Sequence, residues 1–308
     1  FVYCNMDITK NYSIAIMLSG HPKHLNINSK LYSKYNELYE NVTFDFYVSI
    51  WDTIDNEYES FDPVIDLSKE KWVTKYETLK EEDCPFDWKN YEPGCHQPHY
   101  CWTFKKVNEL RNTSIKEYDA VLQTRCDYVL KRSFLDSIVT KLKGNLFNDI
   151  IVYAEYCVKA HKEDAWVNDY FFVSSPKPMD ALAEMFDDIC GKNVNYDINN
   201  YNGPILMHTL QPFHLLNKGI HLSGIGVGGG LIRESYRFGT PHTLKDSAIS
   251  LGNNTIKQQA DTNLGYNRIH PSDNQVLRLI EDKGVLWMLD SANTDEIKAY
   301  YKNSKKWM

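Results

Sequence analysis

Short apolar runs of strand length recur along the chain, and amphipathic stretches lie between them. Ser13–Leu18 is the first run, rich in β-formers and closed by Ser19-Gly20-His21-Pro22. That pattern predicts a buried strand ending in a turn. Leu25–Tyr39 carries Leu31, Tyr35 and Leu38 at helical spacing, and Phe44–Ile50 predicts a second strand running into Trp51-Asp52. From Asp55 to Pro98 the chain is polar, aromatic and broken by Pro63, Pro85 and Pro93, which predicts a long insertion with short elements. Phe104–Leu110 reads as a helix continuing to Ser114. Ala120–Thr124 is a third strand, entered from Tyr118-Asp119 and left through Arg125-Cys126-Asp127. Ile150–Glu155 and Phe171–Ser174 are a fourth and a fifth, and a helix is expected over Met179–Cys190. Strands alternating with helices at these distances predict an α/β fold with a mainly parallel sheet flanked by helices.

The last third is more polar. Pro204–Leu216 predicts a helix and Gly219–Val227 a strand leading into Gly228-Gly229-Gly230. Asp246–Gly265 reads as irregular, Asp273–Leu279 as a short helix and Val285–Leu289 as a short strand, with a Lys-rich surface tail over Lys298–Met308.

Composition narrows the class. The chain has 308 residues, 43% hydrophobic, and a net charge of −7. That apolar fraction excludes a disordered chain, and the acidic balance speaks against a nucleic-acid binder acting through its overall field. A membrane span needs about 20 apolar residues in a row. The longest nearly apolar runs, Ile14–Leu18 and Ile150–Tyr153, are strand-sized. The start of the chain lacks a basic-then-apolar signal pattern, so the expected location is the cytoplasm. Seven cysteines at irregular spacing read as reduced thiols. Cys84, Cys95, His96, His99 and Cys101 form a denser cluster that zinc would accept, but no C-x-x-C pair is present. Asn-x-Ser/Thr sequons stand at Asn11, Asn41, Asn112 and Asn253.

The candidate chemistry sits at strand ends, because open parallel sheets bind ligands beyond the carboxyl ends of their strands. Ser19-Gly20-His21 follows the first strand, Trp51-Asp52 the second and Arg125-Cys126-Asp127 the third, while Trp166-Val167-Asn168-Asp169 precedes the fifth. A carboxylate just past a buried strand, such as Asp127, suits Mg²⁺ or Mn²⁺, which can neutralise a diphosphate. Arg125 suits phosphate through its bidentate fork, or an ion pair within the turn. Asn168 and Asp169 offer a carboxamide and a carboxylate for sugar hydroxyls, or form a simple turn. The run Gly224-Ile225-Gly226-Val227-Gly228-Gly229-Gly230 superficially matches a dinucleotide fingerprint. It lies far from the first strand-to-helix turn where that fingerprint works, and reads as a flexible loop or a lid. P-loop, nucleophile-elbow and zincin motifs are absent from the sequence.

Taken in order, Ile14–His21, Phe44–Asp52, Tyr118–Asp127 and Asn168–Phe171 resemble small GT-A type glycosyltransferases of bacterial polysaccharide clusters and large algal viruses. The Asn/Lys/Tyr-rich flavour is most similar to the chlorella-virus members, which would make the location the host cytoplasm. The resemblance covers residues 13–175. It implies a single GT-A-like domain over 1–308, with a nucleotide-binding half (1–130) and an acceptor-binding half with C-terminal loops (131–308). It further implies a nucleotide-diphosphate sugar as donor, UDP ahead of GDP, a Mn²⁺ or Mg²⁺ ion, and a glycan hydroxyl as acceptor. Ser19, Gly20 and His21 would line the nucleotide, Asp52 would approach the base or ribose, and Arg125 would meet the diphosphate. Asp127 would be the metal-binding acid of D-x-D, joined by His270 from the C-terminal half. Arg125 stands where the first Asp of D-x-D is usual, which leaves strict metal dependence open. In an inverting enzyme Asp169 would be the base, with Asn168 beside it; in a retaining one the pair would instead meet the opposite face of the sugar. In an all-parallel sheet this pair would start its strand at the wrong edge, so Lys159–Asn168 would have to fold back over the site. The alternative class is a non-catalytic carbohydrate-binding or structural protein, for which the 21 tyrosines and 7 tryptophans would supply stacking surfaces.

Overall fold

Strands with apolar side chains at consecutive positions need cover on both faces, and that requirement shapes the molecule. The computed structural model describes residues 10–22, 25–52, 65–85, 97–126, 128–130, 132–154, 157–159, 165–167, 170–190, 207–225 and 229–231. The strands are β1 (Tyr12–Gly20), β2 (Val42–Trp51), β3 (Val73–Leu79), β4 (Ala120–Arg125), β5 (Tyr128–Leu130), β6 (Ile151–Ala154), β7 (Cys157–Lys159), β8 (Ala165–Val167), β9 (Phe171–Ser174), β10 (His221–Gly224) and β11 (Gly229–Leu231). The helices are α1 (Leu25–Tyr32), α2 (Gln97–Asn112), α3 (Arg132–Lys143), α4 (Pro176–Ala183) and α5 (Met207–Asn217).

Seven strands form the main sheet in the order β10-β6-β9-β4-β1-β2-β3. β1 pairs in parallel with β2 and β4, β2 with β3, and β10 with β6. β9 is antiparallel to both its neighbours, β4 and β6. The fold is therefore α/β with a mainly parallel sheet, as the alternation predicts, with one reversed strand inside it. β5 pairs with β11 and β7 with β8 as separate antiparallel ribbons.

The strand alternation divides the core cleanly. Ile14, Ile16 and Leu18 of β1 join Phe44, Phe46 and Val48 of β2 and Leu122 of β4 on one face, covered by Leu31 and Tyr32 of α1 and by Phe134, Ile138 and Leu142 of α3. Ala15, Met17, Tyr47 and Val121 point the other way, against Phe104 and Val107 of α2, Met179 and Leu182 of α4 and Leu215 of α5. The first layer holds a tight aromatic group. Phe46 packs on Tyr32 at 5.1 Å between ring centroids and on Trp72 at 5.2 Å, and Tyr32 meets Trp72 at 5.0 Å. Edge and tilted contacts of this kind add to the burial of large rings.

Several expectations change. The stretch from Asp55 to Pro98 is more than an insertion, because Val73–Leu79 is the edge strand of the main sheet. The first helix stops at Tyr32, and Tyr35–Glu37 forms a separate 3₁₀ turn. α3 escapes a strand-led reading although Phe134, Leu135, Ile138, Val139 and Leu142 make a full amphipathic stripe. The helix after β9 starts earlier than predicted, with Pro176 in its first turn, where a missing N–H costs nothing. It ends at Ala183, and Phe186–Cys190 is a short π-helical turn. The strand predicted over Gly219–Val227 shortens to His221–Gly224. The elements expected within Asp246–Met308 lie outside the described residues. No helix among the described residues is long and apolar enough to cross a membrane.

A buried histidine links α5 to α4. The His214 side chain is fully buried, its Nε2–H donates to the Ala181 carbonyl at 2.6 Å, and Asp188 lies 3.8 Å from Nδ1. Lys218 closes the same corner by pairing with Glu184 at 2.6 Å and Asp188 at 2.9 Å. Burial lowers the His214 pKa from its ordinary value of 6.5, against the opposing pull of the Ala181 carbonyl and Asp188. The unfolded chain thus binds this proton more readily than the folded one. The stability tied to neutral His214 is fully present above pH 6.5 and is lost as the pH falls below it. Thermal melts from pH 7.5 to 5 are expected to show the melting temperature dropping with acidity, and His214→Gln should flatten that drop.

Candidate active site at the strand ends

The three central parallel strands stop at one edge. Register sets Ser19 opposite Ser49 on one side and Arg125 on the other, and Gly20 opposite Ile50. Asp52 lies one residue beyond β2 and is exposed, while its N–H donates to the Leu79 carbonyl at 2.8 Å and ties the end of β2 to β3. Arg125 is the last residue of β4 and not the first of the turn, and it is half-buried. Ser19, Gly20, His21, Asp52 and Arg125 are thus brought to one rim. Asp127, Asn168, Asp169 and His270 lie outside the described residues.

Backbone conformation explains Gly20. Its φ is +107°, a value that L side chains rarely adopt, and a Cβ there would have no atom within 4 Å. The strand needs glycine for the backbone turn, not to avoid a clash.

Behind the rim runs a row of polar side chains that the apolar pattern hides. Gln123 is fully buried and its Nε2 reaches Ser19 Oγ at 3.4 Å, while its Oε1 has no hydrogen-bond partner. Ser49 Oγ donates to Glu77 Oε1 at 2.9 Å. Asn28, fully buried on α1, donates from Nδ2 to the Cys126 carbonyl at 2.6 Å and so pins the turn that follows β4. The sequence signal for Ser49 and Gln123 is a polar letter inside an otherwise apolar strand, within a few positions of its carboxyl end; Asn28, on a helix, carries no such signal.

The reversed strand changes one expectation. Phe171 pairs with Thr124 in antiparallel register, and Thr124 Oγ1 donates to the Tyr170 carbonyl at 3.1 Å. β9 therefore begins at the rim where β4 ends, and no fold-back of Lys159–Asn168 is needed to bring its start there. The glycine run also departs from the loop expected of it. Gly229–Leu231 pairs with Tyr128–Leu130, the strand immediately after Asp127. Residues 226–228 of that run lie outside the described residues.

No group of three or more His, Cys, Asp or Glu side chains able to hold a metal occurs among the described residues. Cys84 and Cys101 are buried in an apolar cluster with Trp51, Leu79, Met185 and Phe186, and neither is in a disulfide. His99 packs its ring against Trp51 at 5.1 Å and its Nε2 lies 3.4 Å from Glu81. Cys95 and His96 lie outside the described residues.

The opposite edge of the sheet carries a polar hollow of about 330 Å³, lined by Arg111, Asn112, Lys116, Tyr118 and Asp180 among others. Arg111, Lys116 and Asp180 in it are each in an ion pair. Arg111, 3% exposed, pairs with Asp180, and Asn108 donates to the same carboxylate at 2.8 Å. Burial lowers the Arg111 pKa from its ordinary value against the pull of Asp180. This is a clamp between α2 and α4, remote from the strand-end rim.

No protein-family model matches the chain, and no curated protein matches it. Solved structures do. The galactosyltransferase LgtC, in complex with donor and acceptor sugar analogues, aligns at 10% identity with a TM-score of 0.37, covering 68% of this chain and 73% of its own. Mouse xyloside xylosyltransferase 1 aligns at 9% identity and a TM-score of 0.37, covering 70% and 85%. An active-site mutant of LgtC aligns at 12% identity and a TM-score of 0.36, covering 68% and 72%.

The rim geometry orders substitutions at Gly20. Gly20→Ala is expected to destabilise the fold by about 1–3 kcal/mol through backbone strain alone. Gly20→Asn should cost less and Gly20→Val more, because asparagine tolerates positive φ and β-branched residues do not. Urea titration checks this as a shift in midpoint at constant slope.

Proposed function

We propose that the chain is a glycosyltransferase that moves a sugar from a nucleotide-diphosphate sugar, UDP-linked ahead of GDP-linked, to a hydroxyl of a glycan acceptor. The observation that carries this reading is the convergence of strand ends. β1, β2 and β4 deliver Ser19, Gly20, Asp52 and Arg125 to one rim, and β9 starts at that same rim two residues after Asp169. Such a rim at the carboxyl ends of parallel strands is where α/β sheets hold nucleotides.

In this reading the Ser19-Gly20-His21 turn lines the nucleotide, and the absence of a side chain at Gly20 lets the ligand approach the backbone. Asp52 accepts hydrogen bonds from the base or ribose. Arg125 offers its fork to the diphosphate, the leaving group whose charge must be stabilised as the anomeric carbon gains positive character. A divalent cation held by Asp127 and His270 would share that neutralisation. Asp169 takes the proton from the acceptor hydroxyl, and Asn168 orients the sugar beside it. The antiparallel run of β9 supports Asp169, since it removes the need for a fold-back.

Two experiments test the reading. In thermal-shift titrations, UDP or GDP is expected to raise the melting temperature, since a ligand at 100 times its Kd adds about 2.7 kcal/mol. Mn²⁺ should enlarge the shift. Asp127→Asn should lose the Mn²⁺ increment while changing unliganded stability by less than about 0.5 kcal/mol. Absence of a shift with either diphosphate, with and without metal, would overturn the proposal. The second experiment follows turnover. Asp169→Asn should lower transfer or donor hydrolysis by about 100-fold or more, with diphosphate affinity unchanged. Equal losses in both would make Asp169 a support of the nucleotide site. Donor binding without any hydrolysis in the wild type would instead point to a non-catalytic carbohydrate-binding protein.

A further inference from the structure

Two buried contacts close a ring behind the rim. Asn28 Nδ2 on α1 donates to the Cys126 carbonyl at 2.6 Å, and the Cys126 thiol lies 3.9 Å from the Ser19 carbonyl. Ser19, Asn28 and Cys126 are all buried. The chain itself joins Ser19 to Asn28, and the start of α1 is tied to that connection by the Leu25 N–H, which donates to the Pro22 carbonyl at 3.1 Å. The end of β1, the first turn of α1 and the turn after β4 are therefore fastened to one another.

Stability does not account for Asn28. Its Oδ1 is buried with no hydrogen-bond partner, and an unpaired buried acceptor offsets what one hydrogen bond contributes. Leu25 and Leu31 of the same helix lie in the apolar core, where an apolar side chain packs without that cost. What the carboxamide does supply is direction. A planar peptide turns as one unit, so a held carbonyl fixes the course of the backbone on either side of it. Arg125 thus stands between a ladder position opposite Ser19 and a Cys126 anchored by both its carbonyl and its thiol.

We propose that Asn28 is a positioning residue for diphosphate recognition: by tying the turn after β4 to α1, it aims the Arg125 fork at the phosphates. The inference rests on the transferase reading. It adds the residue that couples the two walls on the phosphate side, the Ser19-Gly20-His21 turn and Arg125. Asn28 acts without touching the ligand. Bidentate recognition by arginine depends on the angle of the guanidinium plane. A turn released from α1 therefore binds the diphosphate less well even with Arg125 present.

A double-mutant cycle tests this. Kd values for UDP and GDP are measured by calorimetric titration with Mn²⁺ on wild type, Asn28→Leu, Arg125→Lys and the double variant. Leucine keeps the branching of asparagine without a donor, and lysine keeps the charge of Arg125 without its fork. Leucine removes the unpaired Oδ1 but leaves the Cys126 carbonyl unpaired, so the unliganded melting temperature should stay close to that of wild type. Asn28→Ala takes its place if the leucine variant does not fold. For whichever diphosphate binds, Asn28→Leu is expected to weaken it by about tenfold, the scale of one hydrogen bond to a charged group. In the Arg125→Lys background the same substitution should change affinity by less than about twofold, because no fork remains to be aimed. Unchanged affinity in Asn28→Leu would overturn this role and leave the transferase reading standing. Equal weakening in both backgrounds would also overturn it, and would make Asn28 a support of the surrounding fold. Failure of the wild type to bind either diphosphate would overturn the transferase reading itself.

Discussion

Burial of the sheet on both faces is the constraint on which the rest depends. β1 has apolar cover above and below along almost its whole length, from Tyr12 to Leu18. A polar side chain in such a strand must find a partner inside the protein or lie at an end. The polar residues Ser19, Ser49 and Gln123 stand within three positions of their strand ends. The chemistry is confined to the rim because the core admits it nowhere else on these strands. The same burial makes the rim stiff. Ser19 is set by register against two strands, and Cys126 is set by Asn28 from α1. Groups held this way need little reorganisation when charge develops on a ligand.

The reversed strand is the second determinant. With six strands sharing one direction, an antiparallel β9 between β6 and β4 puts a strand beginning among strand ends. The rim thereby gains residues that precede a strand, Tyr170 among the described ones, beside residues that end strands. The β5–β11 ribbon adds a third element there, since it starts one residue after Asp127 and recruits Gly229–Leu231 from far along the chain.

Much of this was legible in the sequence. Phe171–Ser174 is observed with its predicted bounds, and β1, β2 and β4 contain the predicted runs and exceed them by a few residues. Apolar β-formers between turn residues suffice for that. β3 was hidden because Val73-Thr74-Lys75-Tyr76-Glu77-Thr78-Leu79 is an edge strand, half-buried on alternate residues and mostly polar. The direction of β9 was unreadable for a deeper reason. A short run buried on both faces looks the same in either direction, and only its partners decide. Of the site, the turn residues Ser19, Gly20 and Asp52 were readable from their position after apolar runs. Gln123, Asn28 and Tyr170 were not, because their meaning lies in contacts with residues 104, 98 and 42 positions away.

The order in which the chain leaves the ribosome bears on the interleaved sheet. β1 and β2 are close in sequence, but β4 joins β1 across more than a hundred residues, and β9 must then slot between β4 and β6. Such long-range pairing closes slowly, because the chain must lose loop entropy before the contacts form. A nascent chain that has emerged only as far as β6 exposes one side of β4 as an unpaired ladder flanked by Ala120, Val121 and Leu122. That is a sticky surface of the kind that recruits other strands. The strand that completes the rim therefore also seals the sheet, so an assembled rim and protection from misassembly arrive in the same folding event.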